Sequence, residues 1–445
     1  MLSSIRFYIR RARELRASGQ FFDAVIARLR AGRAASRFNA QQAAGRVYKE
    51  YSADLPVGYS AKKITLRLSV PVLDSISKLA FNDHTVDEEG RTTSSVLALT
   101  IGGFAISPDL GKTWKLVKIE GHPEHRFFQI KDIGEGEFLV QGLPSEHRSS
   151  KNRPLDLMVV NEEGKVLVKH PMHGHRWHGS RSAAMVGGTI MFAEYLSNVA
   201  INGRRPVGCK VWRSRDRGRT WHTVFEMTGG QIRHFHFLQP RPKHPGEWWL
   251  TSGDHPPECH IWVTKDDGDS WENVSHPEQE RVEVSGEQYK RDLFRLTDMV
   301  WLNGEVVWGT DDSLRAASPP GARVFRSAIG RRLKPELVGI GKWHFRNVVD
   351  IGEYLLFLSQ RSNVAKAPPE DKRPSVYLMP KQRVQGAPAM VHVCDLDAYP
   401  TRDRPGFTFS KASRAAVGGT FFSYRSSEDV FPGGHRILEW NVRLE

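Results

Sequence analysis

Three octapeptides constrain this chain more than any other feature. Ser107-Pro108-Asp109-Leu110-Gly111-Lys112-Thr113-Trp114, Ser214-Arg215-Asp216-Arg217-Gly218-Arg219-Thr220-Trp221 and Thr264-Lys265-Asp266-Asp267-Gly268-Asp269-Ser270-Trp271 share the form (S/T)-x-D-x-G-x-(S/T)-W. This is the chemistry of a tight hairpin turn: the Asp carboxylate caps backbone N–H groups, Gly takes a positive φ, and Trp opens the outgoing strand. Val211-Trp212-Arg213 and Ile261-Trp262-Val263 lead in, and Trp-His-Thr-Val and Trp-Glu-Asn-Val lead out, so each copy reads strand, turn, strand. Repetition of that unit predicts an all-β array.

The copies begin at residues 107, 214 and 264, so the first interval is close to twice the second. One repeat between them has lost its octapeptide. Its strands are expected at Phe127–Ile130, Phe138–Gln141, Leu157–Val160 and Val166–Val168, with Asn161-Glu162-Glu163-Gly164 as the degenerate turn. The rhythm continues through Leu293–Leu296, Val306–Gly309 and Val324–Ser327, then Phe345–Val348, Tyr354–Phe357 and Val376–Met379. A last set, Phe407–Phe409, Thr420–Ser423 and Arg436–Trp440, supplies three strands. Ile64–Leu68 is predicted to complete it, closing the array and removing exposed sheet edges.

The octapeptides resemble the Asp-box, or BNR, repeats of sialidase-like β-propellers. The resemblance implies an all-β propeller over residues 61–445, and the strand rhythm predicts seven blades, with six as the alternative. In that family the boxes are structural turns away from the catalytic centre. Sialidases also use an arginine triad for the substrate carboxylate, a Tyr and Glu pair as nucleophile and an Asp as acid/base. Arg126, Arg181, Arg295 and Arg346 supply arginines in number, and Tyr424, Glu194 and Asp254 supply those functional groups. The F/Y-R-I-P motif that introduces the first triad arginine is absent, since Tyr8-Ile9-Arg10-Arg11 lies in a helical pattern.

Residues 1–60 read differently. Leu2, Ile5, Tyr8, Ile9, Ala12 and Leu15 keep helical spacing, Gly19 interrupts, and Phe21, Phe22, Val25, Ile26 and Leu29 resume it, while nine arginines between Arg6 and Arg37 occupy the other faces. The expectation is a short basic α-helical extension whose residues 1–40 pack on the propeller, dock on an anionic surface or protein partner, or act as an organellar transit segment. The chain's net charge of +14 also favours acidic partners. No recognised nucleic-acid module accompanies the arginines, so nucleic acid is not an expected partner. The chain has no run of about 18 apolar residues, which excludes a spanning helix. The odd cysteine count, three, argues against a disulfide framework, and no secretory signal is visible, so a cytoplasmic location is expected.

Turns of this kind join the third and fourth strands of a blade. Strand alternation then collects the starts of innermost strands and the ends of second strands on the opposite face. The starts carry His125 and Arg126, His178 and Arg181, His234 and His236, Arg295 and Asp298, and His344 and Arg346. The ends carry Gln141, Glu194, Asp254 with His255, Asp311 with Asp312, Gln360 and Tyr424. Burying such groups without partners is costly, so a shared central cleft is the simpler account. Arg126, Arg181, Arg295 and Arg346, with Asp311, are the substrate-binding candidates, since guanidinium groups grip carboxylate or sulfate in bidentate fashion. His234, His236, Asp254, Glu194 and Tyr424 are the catalytic candidates, able to move protons near neutral pH. His170, His173, His175 and His178 are expected on a loop at the rim. His234-x-His236 points two imidazoles to one side of a strand, but two ligands are not a set, and no metal or cofactor is assigned.

Two functions of different class follow. One is a carbohydrate-active protein, a glycosidase or polysaccharide lyase acting on an acidic glycan. The other is a non-catalytic binding or scaffold propeller whose basic N-terminal segment makes the contact.

Overall fold

The octapeptides fold as their chemistry requires. In the second copy, Asp216 Oδ1 accepts from Thr220 N at 2.8 Å and Arg219 N at 3.1 Å, and Asp216 Oδ2 accepts from Thr220 Oγ1 at 2.6 Å. Ser214 Oγ receives Gly218 N at 2.7 Å, and Trp221 Nε1 donates to Gly218 O at 3.2 Å. The third copy repeats these bonds, the Arg219 one apart, through Asp266, Thr264, Ser270 and Trp271. Gly218 sits at φ 82°, and a Cβ there would meet Val159 Cγ2 at 2.8 Å. Any side chain at that position would be both strained and crowded. Asp109 to Lys112 of the first copy lie outside the described residues.

The computed structural model describes residues 47–69, 78–79, 96–100, 102–108, 113–143, 154–173, 177, 179–195, 208–228, 230–311, 321–360, 374–396, 416, 419–426 and 435–445. Strands β1 (Val47–Asp54) and β2 (Lys63–Ser69) come first. Four-stranded antiparallel sheets then follow in chain order. The first holds β3 (Lys78–Leu79), β4 (Val96–Thr100), β5 (Gly103–Ser107) and β6 (Lys115–Lys118). The next holds β7 (Arg126–Asp132), β8 (Glu137–Leu143), β9 (Pro154–Asn161) and β10 (Val166–His173), and is followed by β11 (Ala183–Val186), β12 (Thr189–Ala193), β13 (Cys209–Ser214) and β14 (His222–Met227). Then come β15 (Phe235–Pro240), β16 (Trp248–Ser252), β17 (His260–Thr264) and β18 (Glu272–Asn273). A hairpin of β19 (Arg281–Val284) and β20 (Glu287–Lys290) precedes β21 (Met299–Leu302), β22 (Glu305–Gly309), β23 (Ala322–Ala328) and β24 (Glu336–Gly341). The sixth sheet holds β25 (His344–Asp350), β26 (Tyr354–Gln360), β27 (Ser375–Pro380) and β28 (Val391–Asp395). The chain ends in β29 (Thr420–Ser426) and β30 (His435–Leu444), and β2 pairs antiparallel with β30, Ile64 facing Leu444 and Leu68 facing Trp440.

The predicted closure by Ile64–Leu68 is therefore present, with one correction. The closing sheet runs β1-β2-β30-β29, so each end of the chain supplies two strands. Strand β1 falls inside the stretch read as helical: its Tyr51 and Ala53 alternate onto the apolar core, a period of two that the helical reading passed over. Residues 1–46, with the predicted helical hairpin, and Phe407–Phe409 lie outside the described residues.

The sheets from β7–β10 to β25–β28 are each buried on both faces, which explains their near-continuous apolar strands. Neighbouring residues of one strand enter different cores: Met191 packs toward the β15–β18 sheet while Phe192 packs toward the β7–β10 sheet. Trp248 and Trp249 divide in the same way, as do Val306 and Val307. With β3 also touching β30, the sheets stack in a closed ring. This is a β-propeller, held by apolar layers between sheets. The octapeptide turns staple neighbours together. Arg217 donates to Gly134 O at 2.6 Å and to Glu137 Oε2 at 3.1 Å in the preceding sheet, while Arg213 donates to Asp267 O at 2.6 Å in the following one.

Candidate functional site

The face opposite the octapeptide turns opens into a cavity of about 400 Å³. Tyr195, Arg233, His236, Asp254, His255, Arg295, Asp311 and Arg346 are among the side chains lining it. These residues lie at the starts of first strands and the ends of second strands in neighbouring sheets, where alternation collects them. The volume falls within the usual ligand-pocket range of roughly 300–1,000 Å³.

Two bulges aim the central groups. In β15, Phe235 pairs with Ser252 and Phe237 with Thr251, leaving His236 as the extra residue. In β25, Phe345 pairs with Ser359 and Asn347 with Leu358, leaving Arg346 extra. Phe235 and Phe237 consequently enter different apolar cores, and the unpaired residue between them turns to the cavity. Arg295 is fixed by another device: a short 3-10 turn, Arg291–Phe294, anchored by buried Leu293 and Phe294 and by Arg291 Nη2 donating to Cys259 O at 3.0 Å.

The charges form a continuous ladder. Arg233 Nη1 lies 2.7 Å from Asp254 Oδ2, and Arg295 Nη2 lies 3.3 Å from Asp254 Oδ1 and 3.9 Å from Asp311 Oδ2. Arg346 forks onto Asp311, Nε at 2.9 Å from Oδ1 and Nη1 at 3.0 Å from Oδ2. Burial works against ionising Asp311, but Arg346, a hydrogen bond from His344, and Arg295 overcome it and lower its pKa to about 2. Burial likewise opposes ionisation of Asp254, yet hydrogen bonding by His234 and His236 holds its carboxyl well below the usual carboxylate range. Both cavity carboxylates are therefore anions near neutral pH. Among the described residues, three guanidinium groups, Arg233, Arg295 and Arg346, face these two carboxylates, an excess of positive charge.

Beneath this layer, His234 and His236 are each 2% exposed. Their Nε2 atoms lie 2.8 Å apart, the Tyr195 ring covers His234 at 4.0 Å between centroids, and His236 Nδ1 lies 3.2 Å from Leu296 O. Buried Arg181 pairs with Asp298 at 3.1 Å and donates to Arg346 O at 3.1 Å, tying three sheets together under the cavity.

Among the sequence-chosen residues, His236, Asp254, Arg295, Asp311 and Arg346 line the cavity, and His234 backs it. Arg181 supports it from below. Glu194 does not line it: fully buried, it accepts from Lys210 N at 2.9 Å and Trp212 Nε1 at 2.7 Å, a structural clasp between strand ends. Arg126 lies in β7 and Tyr424 in β29, and both side chains lie outside the described residues. His170, expected at the rim, instead lies 3.0 Å from Gly218 O at an octapeptide turn, because β10 delivers it to the other face. The side chains of His173, His175 and His178 lie outside the described residues. Sequence reasoning missed Arg233 and Tyr195, each adjacent in the chain to a residue it chose.

No family model and no curated protein matches the chain. Among solved structures, it is similar to YCF48 from Cyanidioschyzon merolae, at 10% identity and a TM-score of 0.45, over 84% of this chain and 98% of that one. It is similar to a chain of the mitotic checkpoint complex at 8% identity and a TM-score of 0.46, over 90% and 95% of the two chains. It is similar to Trypanosoma rangeli sialidase in complex with sialic acid at 11% identity and a TM-score of 0.37, over 89% and 54%. Likenesses this loose say nothing about what the cavity binds.

Proposed function

We propose that this chain is a seven-bladed Asp-box propeller that binds an acidic oligo- or polysaccharide in its central cavity and cleaves it by β-elimination. The observation that carries the reading is the convergence of Arg233, Arg295 and Arg346 on one open polar cavity whose two carboxylates are already held as anions. Guanidinium groups in excess suit the carboxylate of a uronate or sialate residue. Neutralising a uronate carboxylate acidifies the neighbouring C5 proton. A base then removes that proton, the C4–O bond breaks toward the leaving sugar, and a C4=C5 double bond forms. Tyr195 and His255, on the cavity wall beside the guanidinium groups, are the proton carriers of this reading.

Hydrolysis by a carboxyl pair fits less well. It requires one carboxylic acid to hold its proton near neutral pH, whereas Asp254 and Asp311 are both pushed the other way. The test is incubation with a panel of uronic-acid polymers and sialosides, reading reducing ends and the ultraviolet absorbance of unsaturated uronates together. Elimination predicts both signals from a uronate polymer, with the rate lost in Tyr195→Phe or Arg295→Met. Reducing ends without absorbance indicate hydrolysis, and silence in both channels removes the reading.

A further inference from the structure

We infer that His234, His236 and Asp254 bind one divalent transition-metal ion at the floor of the cavity. Three donor groups converge there. The two Nε2 atoms are 2.8 Å apart, His234 Nε2 is 3.4 Å from Asp254 Oδ2, and His236 Nε2 is 3.5 Å from Asp254 Oδ1. With metal–ligand bonds of roughly 2.0–2.2 Å, donor atoms around a single ion stand about 2.8–3.6 Å apart, depending on whether the angle is square or tetrahedral. The observed spacings fall around that window.

The surroundings suit ligation as well as the distances do. His236 Nδ1 faces Leu296 O at 3.2 Å, a carbonyl that can only accept, so Nδ1 carries a proton and Nε2, facing Asp254, is the atom offered to an ion. Metal-bound imidazoles are ordinarily oriented by such an outer carbonyl. Tyr195 covers the His234 ring, and the bulge in β15 turns His236 inward. Both imidazoles are buried, so the donors are held in place before any ion arrives. Arg233 and Arg295 on the Asp254 carboxylate weaken its pull on a cation. An ion must therefore draw most of its binding from imidazole nitrogen, which selects zinc, cobalt or nickel over magnesium and calcium. Three protein ligands leave at least one position open, and His236 shares its cavity wall with the arginines.

A second group, His122, His125 and Asp156, has imidazoles that are only half-buried. Lys169 Nζ lies 3.0 Å from its Asp156 oxygen, much as Arg233 and Arg295 stand on Asp254, so burial of the imidazoles is what separates the two groups.

The site stands independently of the carbohydrate reading, because occupancy is read on the protein alone. Full-length protein stripped with a chelator is titrated with Co²⁺, following visible absorption, and with Zn²⁺ by calorimetry. One ion per chain is expected, with Zn²⁺ displacing Co²⁺ and millimolar Mg²⁺ or Ca²⁺ without effect. His236→Ala and His234→Ala should each weaken binding more than about 100-fold, beyond the 10–100-fold typical of outer-shell partners. His125→Ala should leave it unchanged. His236→Gln is the substitute if the alanine variant fails to fold by circular dichroism. Binding well below one equivalent in folded wild type, or binding unaltered in folded His234 and His236 variants, overturns the assignment.

Discussion

The two faces of this propeller use aspartate in opposite ways. On the turn face, Asp216 finds its hydrogen-bond partners within its own octapeptide, and Asp266 does the same. On the cavity face, Asp254 and Asp311 find theirs on other segments: Arg233 and Arg295 for the first, Arg295, His344 and Arg346 for the second. The turn carboxylates form a local clasp that any chain of that sequence can close. Those of the cavity exist as a group only once the ring has closed, and their surplus of guanidinium charge is available to a ligand.

This contrast predicts unequal sensitivity to substitution. Asp311→Ala leaves the Arg346 and Arg295 charges without a deeply buried counter-ion and should cost about 3–5 kcal/mol in urea unfolding. Asp311→Ala combined with Arg346→Met should recover part of that loss, since the unpaired charge goes with it. A smaller effect is expected on the turn face from Gly218→Ala, about 1–3 kcal/mol, because the alanine would sit at positive φ with its Cβ against Val159. Asp216→Ala removes a cap and should cost less again, about 0.5–2 kcal/mol, by the same measurement. A loss at Asp216 larger than that at Asp311 would invert the comparison.

Acid should weaken the turn face. The Asp216 and Asp266 carboxyls are held at about 2: for Asp216 burial pushes the other way, and Thr220 and Ser214 overcome it, while for Asp266 Ser270 is the main cause and Thr264 the next. Their folded-state values lie below the unfolded value of about 3.9. The unfolded state therefore binds the extra protons as pH falls, so this stability is present above about pH 4 and is lost between about pH 4 and 2. Urea midpoints measured across that interval should fall, and Asp216→Asn should flatten the slope.

The same contrast explains what was legible in the sequence. The octapeptides could be read because all their partners lie within a few residues, and closure by Ile64–Leu68 could be read because an unpaired edge demands a strand. Strand-end counting reached His236, Asp254, Arg295, Asp311 and Arg346, but it assumes ideal alternation. Strand β12 ends at Ala193, Glu194 turns into a bridge with Trp177, and Tyr195 is the residue that reaches the cavity. A slip of one residue exchanges the faces. Arg233 precedes the bulged start of β15 and was hidden for the same reason. Which arginine would meet which carboxylate depends on contacts between sheets, and no local pattern encodes those. Strand β1 was lost to a helical reading because its mixed polar composition follows on the arginine-rich segment.

On the proposed reading, the cavity arginines hold the carboxylate of an acidic sugar. Calorimetric titration of wild type and Arg346→Lys with a uronic-acid oligosaccharide tests it most directly, provided the two proteins share an unfolding midpoint. Lysine keeps the charge and loses the fork, so the account predicts measurable wild-type binding that weakens with salt and drops about tenfold or more in the variant. Equal affinity in the two proteins, or no heat from wild type, would contradict it.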